Sequence, residues 1–204
     1  MSESKVIYVN TQSALETCSE HLSKCKEMAM DLEFDKNRFR YGFNLCLMQV
    51  MAEDTCYLID PIGTDLDLSI LYPTLEDPNI SKVVFSFRED LALMHTLGCF
   101  PRGLYDIGVA IRLLDRSQTA LGTVLEQFLD LTVDKEAQTS NWFTRPLSEE
   151  QLSYAAQDVL HLIPLKHVVE EKLEEKGVTE WVRQENEHWE QMDYRAAEDA
   201  PLVK

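Results

Sequence analysis

Positive charge is what this sequence has least of. Nineteen lysines and arginines stand against 36 aspartates and glutamates, for a formal net charge of -17. Broad electrostatic binding to duplex nucleic acid needs a basic surface, and this composition argues against it. It does not argue against a small nucleic-acid substrate held through bound metal ions. Carboxylates around a metal count as negative in the sequence but not in the loaded site. The acid-rich stretch from Glu170 onward also raises the total without touching any candidate site.

Long hydrophobic runs are missing as well. No apolar stretch approaches the length that spans a bilayer, and "MSESKVIYVN" lacks the basic-then-apolar pattern of a signal peptide. A soluble, cytoplasmic protein with no membrane partner is expected. Cysteine is sparse and unpatterned: Cys18, Cys25, Cys46, Cys56 and Cys99 are odd in number, and no pair is spaced C-x-x-C. They read as small buried hydrophobes in a reducing compartment. The five histidines supply no zinc-type spacing.

What is present is enough for one good-sized domain: 204 residues, 45% of them hydrophobic. "KVIYV" (5–9) alternates as a strand. Thr11 or Ser13 can cap a helix running to about Cys25. "EMAMDLEF" is a second strand, "DKNRFRYG" a polar, basic loop, and "FNLCLMQVM" and "TCYLID" two apolar strands around the hairpin signal "AEDT". "KVVFS" (82–86) is a short buried strand followed by a helix from Arg88 to Leu97, ended by Gly98. Further helices are expected near 107–114 and 121–129. A long one starts at Ser148 with the capping box Ser148/Gln151, bends or breaks at Pro164 and ends at Gly177. A charged helix covers about 180–194. Strands early and helices late, joined by one strand-helix unit, predict an α/β fold with a mixed sheet flanked by helices.

Three places carry acids that a purely structural reading leaves incomplete. Asp31 and Glu33 are set into the apolar strand "AMDLEF" one residue apart, so both point to one face. They are either the solvated face of an edge strand or a pair of ligands, because burying unpaired carboxylates is costly. Asp90, in "VVFSFREDL", lies in the first turn of a helix directly after a buried strand. There it can serve the helix dipole, or it can sit where mixed sheets collect ligands. Tyr154 and Asp158 in "SYAAQDVL" share a helical face, as a hydrogen-bonded pair at the core boundary or as part of a site. Together, four carboxylates and one tyrosine can converge on a pair of hard divalent cations, Mg²⁺ or Mn²⁺. Two such ions roughly 3.5–4 Å apart are a general solution for phosphodiester hydrolysis.

The order Asp-x-Glu, Asp, Tyr-x-x-x-Asp resembles that of the DEDD exonuclease superfamily, tyrosine subtype, and the surroundings resemble ribonuclease D. "MDLEF" is similar to its first motif, "LCLMQV" and "YLIDPI" to the strands that follow, and "REDL" to its second motif. "VDKEAQTSNWFTRPLSEEQLSYAAQDVLHLIPL" is similar to the segment carrying the third. The resemblance runs from about Val6 to Lys166. The tyrosine subtype rests on Tyr154; the histidine subtype would carry its histidine at position 153, where Ser153 stands. Two positions depart from the pattern: Phe85 where relatives often have histidine, and "DIG" (106–108) where Asp-Thr-Gln is usual.

The resemblance implies a ribonuclease H-like fold with a five-stranded mixed sheet, three strands antiparallel. It implies a 3′-5′ exonuclease domain over residues 1–168, followed by an acidic helical extension over 169–204 with no separate nucleic-acid-binding module. It implies 3′-5′ hydrolysis of single-stranded RNA ends to nucleoside 5′-monophosphates, with a homo-oligomer allowed. Asp31, Glu33, Asp90 and Asp158 would hold two Mg²⁺ or Mn²⁺ ions, Asp31 bridging both, and Tyr154 would orient the attacking water. Phe34 could stack on the terminal base, and Arg38, Arg40, Lys135 or Arg145 could meet phosphates. Trp142 and Pro146 would pack the long helix. Short oligonucleotides, dinucleotides or DNA ends are the alternative substrates, and a catalytically silent scaffold is the alternative of another class.

Overall fold

The computed structural model describes residues 4–114, 120–133 and 139–195. Its centre is a six-stranded mixed sheet in the order β1-β4-β3-β2-β5-β6. The strands are β1 (Lys5–Val9), β2 (Glu27–Lys36), β3 (Phe43–Ala52), β4 (Thr55–Ile59), β5 (Ser81–Val84) and β6 (Leu104–Asp106). β2, β3 and β4 form an antiparallel meander, while β1 joins β4 and β5 and β6 follow β2 in parallel. The ribonuclease H-like reading holds with one correction: among the described residues the sheet has six strands, not five. The sixth is only three residues long, between Gly103 and the helix that follows, too short to show an alternating pattern.

Helices cover both faces, which is why β3 is apolar almost throughout rather than alternating. They are α1 (Gln12–Leu22), α2 (Tyr72–Leu75), α3 (Arg88–Thr96), α4 (Ile107–Leu114), α5 (Leu121–Leu129), α6 (Glu149–Leu160), α7 (Leu162–Lys176) and α8 (Thr179–Gln191). Met28, Met30 and Leu32 of β2 pack with Leu15, Cys18 and Leu22 of α1 and with Leu91 and Met94 of α3. Fully burying each such aliphatic side chain contributes about 1.5–3 kcal/mol. Ala29, on the opposite face, packs in the layer of Ala155, Val159 and Leu162 from α6 and α7. All five cysteines are buried and free. Among the described residues no helix is long and apolar enough to cross a membrane.

The helix ends follow local chemistry. The Thr11 hydroxyl accepts from the Ala14 N–H at 3.3 Å. Ser148 and Gln151 close the expected capping box at 3.2 and 3.1 Å. Gly177, at φ +70°, ends α7: its N–H donates to Glu174 O and that of Val178 to Leu173 O, the six-to-one closure only a left-handed residue permits. The break between α6 and α7 falls at His161 rather than at Pro164. Pro164 is the third residue of α7, where its missing N–H is one of the donors a first turn leaves free anyway.

The acidic C-terminal segment is integrated with the sheet. α7 runs without a break across residue 168, so the division at 168/169 falls inside a helix. α8 then covers the edge of β6: Glu190 accepts from the Leu104 N–H at 2.7 Å and Asn186 from the Asp106 N–H at 3.4 Å. An edge strand that would otherwise present unpaired amides is thereby closed by side chains.

Candidate active site

β2 alternates, so Asp31 and Glu33 project from the face that Ala29 shares, toward α6. Asp158 meets them from α6. One carboxylate oxygen from each of Asp31, Glu33 and Asp158 lies within 4.8 Å of the others. Tyr154 precedes Asp158 by one helical turn, which sets its hydroxyl beside the Asp158 carboxylate. The Tyr154 ring also leans on Trp142, with centroids 6.1 Å apart.

Asp90 is the third residue of α3, where the N-terminal dipole favours an anion. It is buried, and its charge is felt by both Asp31 and Glu33. The turn that delivers it is held by Asp106. That carboxylate, itself buried, accepts the Ser86 and Phe87 N–H groups at 2.8 Å each and the Val109 N–H at 3.3 Å. Ser86 is in the left-handed region at φ +56°, a conformation that needs outside support in a residue with a β-carbon. Gly108 makes room for this: a Cβ there would lie 2.4 Å from Ser86 Oγ. The "DIG" sequence that departs from the family pattern therefore has a definite task beneath Asp90.

The electrostatics match a site built for cations. Burial raises Asp31 and Glu33 well above the usual carboxylate range, and the charges that raise them further belong to neighbouring carboxylates. Burial pushes Asp90 up to about 7, against the pull of its own helix-start N–H, and pushes Asp158 up to about 6, against the Tyr154 hydrogen bond. Burial and then the nearby Asp158 charge hold the Tyr154 phenol far up, as a neutral hydroxyl. Acids that disfavour ionisation together are acids that divalent cations stabilise together.

One further residue at the site was not expected from the sequence. Gln49 is the cross-strand partner of Asp31. It is fully buried, and neither its amide nitrogen nor its amide oxygen has a hydrogen-bond partner in the protein. The Trp142 indole N–H, also buried, is in the same condition. Buried polar groups are nearly always paired. An all-oxygen donor set flanked by orphaned polar groups fits hard cations that keep part of their water shell. Only the register between β2 and β3 reveals Gln49, and single-strand patterning does not give register.

The expected substrate contacts divide. Phe34 lies on the face opposite Asp31 and Glu33, edge-on to Phe43 at 5.2 Å, and packs against the α1-side core. Arg38 is exposed and donates to Thr139 O at 3.3 Å, and Arg40 stacks on Phe143 at 4.1 Å. The buried Asp35 carboxylate folds this basic loop by accepting the Phe39 and Arg40 N–H groups, each at 3.0 Å. Arg145 is committed elsewhere. Nε and Nη2 bind the Asp60 carboxylate at 2.5 and 2.6 Å, Nη1 binds Trp142 O and Thr144 O, and Nη2 also binds Cys46 O. Those five bonds use the whole donor set of a guanidinium. Trp142 packs the helix layer as expected. Lys135 lies outside the described residues.

Comparison with known proteins identifies the family and the fold. A family described as 3′-5′ exonuclease matches residues 6–174. Ribonuclease D of Gluconacetobacter diazotrophicus is 32% identical over 178 residues, covering 86% of this chain and 45% of that protein. The crystal structure of Escherichia coli RNase D, an exoribonuclease involved in structured RNA processing, superposes with a TM-score of 0.84 at 29% identity. It covers 91% of this chain and 50% of that one. Trypanosoma brucei RNase D in complex with RNA U12 gives a TM-score of 0.70 at 26% identity, over 82% and 63% of the two chains. The chain thus spans under half the length of the curated relative and about half of the bacterial structure.

Proposed function

Because the chain belongs to the 3′-5′ exonuclease family, as a ribonuclease D-like member of a metal-dependent class, we propose that it hydrolyses single-stranded RNA from the 3′ end, releasing nucleoside 5′-monophosphates. The observation that carries the reading is the convergence of Asp31, Glu33 and Asp158 within 4.8 Å, with Asp90 electrostatically joined to them. Asp31, Glu33, Asp90 and Asp158 would hold two divalent cations, Mg²⁺ or Mn²⁺, whose chemistry is to neutralise charge on the scissile phosphate and to make water a nucleophile near neutral pH.

The chain's own residues do the rest. Tyr154, kept neutral by burial, holds a hydroxyl at the edge of the acid cluster. With Asp158 as its acceptor, it orients the attacking water toward phosphorus. Water oxygen bonds to phosphorus as the bond to the upstream 3′-oxygen breaks. That oxygen leaves with a proton, and the phosphate stays on the released nucleotide. Asp106 keeps Asp90 in place through the Ser86–Phe87 turn. Arg38, whose exposed guanidinium reaches Thr139 O, would meet a backbone phosphate, while Arg145 acts as a clamp within the fold. Residues 1–168 carry every group in this scheme, and α8 serves as the cover of the sheet edge.

A second reading keeps the chemistry and shortens the substrate to dinucleotides or very short oligonucleotides. The net charge of -17 favours it, since long RNA gains affinity from each neutralised phosphate. Digestion of 5′-labelled RNA, the same sequence as DNA, and a dinucleotide, each with Mn²⁺, separates the two. A ladder shortening from the RNA 3′ end supports the first reading. Cleavage confined to the dinucleotide replaces it with the second, and cleavage of none removes both.

A further inference from the structure

A second cluster of metal-ligating side chains lies away from the acids. His21 is in the last turn of α1, Cys25 follows four residues later, and Glu53 occupies the two-residue turn between β3 and β4. One ligand atom from each, His21 Nε2, Cys25 Sγ and a Glu53 carboxylate oxygen, lies within 4.8 Å of the other two. His21 Nε2 stands 3.4 Å from Glu53 Oε2 and 3.9 Å from Cys25 Sγ. We infer that these three side chains form a zinc-type site, distinct from the catalytic acids, that ties α1 to the β3–β4 hairpin.

The distances favour a shared ion over a simple ion pair. His21 Nε2 and Glu53 Oε2 at 3.4 Å form only a long ion pair, since a charge-assisted N–H···O bond is about 2.7–2.9 Å. Two ligands on a tetrahedral centre with ordinary zinc bond lengths are about 3.4 Å apart for nitrogen and oxygen, and about 3.6 Å for sulfur and nitrogen. The observed pairs sit at or just outside those edges, so closure needs only small side-chain movements.

The surroundings are those of a ligand set. Tyr57 Oη contacts His21 Nδ1 at 2.9 Å. With the Nδ1 proton on that bond, the Nε2 lone pair faces the thiol and the carboxylate, an arrangement of two acceptors and a sulfur that a cation completes. Glu53 sits at φ +54°, a left-handed backbone where glycine or asparagine would be easier. That position is what puts its carboxylate beside the histidine. Charge also balances: the Cys25 thiol gives its proton to solvent on binding, and thiolate plus carboxylate neutralise a divalent ion. Cys25 is buried while Glu53 is exposed, which leaves a solvent path for entry and a fourth position for water.

The site does not belong to the exonuclease centre. His21 and Tyr57 pack on the α1 face of the sheet, whereas Asp31 and Glu33 project from the α6 face. Glu53 follows Gln49, the partner of Asp31, by four residues, about 13 Å along the strand. A mixed sulfur, nitrogen and oxygen set selects zinc, while the all-oxygen acids select Mg²⁺ or Mn²⁺.

Cobalt tests this directly, because a thiolate ligand gives Co²⁺ a charge-transfer band that oxygen ligands do not. The metal-free 204-residue chain is titrated with Co²⁺ in excess Mg²⁺. The expected result is a thiolate band that saturates at one equivalent and disappears on adding Zn²⁺. It should persist in Asp31→Asn and vanish in Cys25→Ser, with Mg²⁺-dependent hydrolysis by Cys25→Ser confirming that this near-isosteric variant is folded. Tyr57→Phe should weaken Co²⁺ binding roughly 10- to 100-fold without removing the band. No thiolate band in the wild type, or an undiminished band in Cys25→Ser, would overturn the assignment.

Discussion

The Asp106 carboxylate accepts the Ser86 N–H at 2.8 Å and so fixes, from twenty residues downstream, the turn through which Asp90 enters the acid cluster. A residue outside the acid cluster thereby sets how one of its members is presented. Asp106→Asn keeps one acceptor oxygen and turns the other into a donor facing the Phe87 or Ser86 N–H. It should cost about 1–3 kcal/mol in urea denaturation and lower kcat more than KM. Wild-type kcat in this variant would show that the turn holds Asp90 without help.

Asp31→Asn should abolish hydrolysis and yet stabilise the metal-free protein near neutral pH. The raised pKa values of Asp31 and Glu33 mean that the folded state takes up protons more readily than the unfolded state. Their stability contribution is full below the ordinary carboxylate pKa and is lost as pH rises through the folded-state value. At pH 7.5 the metal-free wild type therefore carries a repulsion that asparagine relieves. Its Tm should lie below that of the variant there and converge with it toward pH 4. A lower Tm for Asp31→Asn at pH 7.5 in EDTA would contradict this electrostatic account.

Activity should rise with pH through the window set by Asp158, at about 6, and Asp90, at about 7, because both must lose protons before they serve as ligands. Protons and cations compete for the same oxygens, so saturating Mg²⁺ should move the rise in kcat/KM to lower pH. Profiles measured at two metal concentrations check this. Superimposable profiles would mean that these acids do not limit the reaction.

Tyr154→Phe keeps the ring against Trp142 and removes only the hydroxyl beside Asp158. We expect a fall in kcat of about 10²-fold or more with little change in Tm, measured on a short RNA at saturating Mn²⁺. An unchanged kcat would remove the phenol from the mechanism.

Asn186→Ala should destabilise the chain by about 1–2 kcal/mol, because the side chain is buried and closes the β6 edge at Asp106. Chemical denaturation gives the value. The double variant with Glu190→Ala should also associate through the freed edge, visible by light scattering; a monomeric double variant of wild-type stability would show that α8 is dispensable.

The parts of the site that were legible in the sequence are those whose geometry is local. Asp31 and Glu33 share a face because strands alternate, and Tyr154 and Asp158 share one because they are a helical turn apart. That Asp90 joins them was carried by family resemblance, since no local rule brings α3 to β2. Arg145 was legible only as a cation: its acceptors on Asp60 and Cys46 are 85 and 99 residues away. Gln49 and the sixth strand depend on register and edge pairing, which are decided between elements. The cluster at His21 escaped for the same reason, because its third member arrives from a distant hairpin turn.

The most direct test of the central claim is product analysis. Single-stranded RNA is digested with Mn²⁺ by wild type and by Asp31→Asn, and the released nucleotides are identified by mass. The account predicts nucleoside 5′-monophosphates freed one at a time from the 3′ end by the wild type and none by the variant. Products ending in a 3′-phosphate, internal cleavage, or an Asp31→Asn variant as active as the wild type would contradict it.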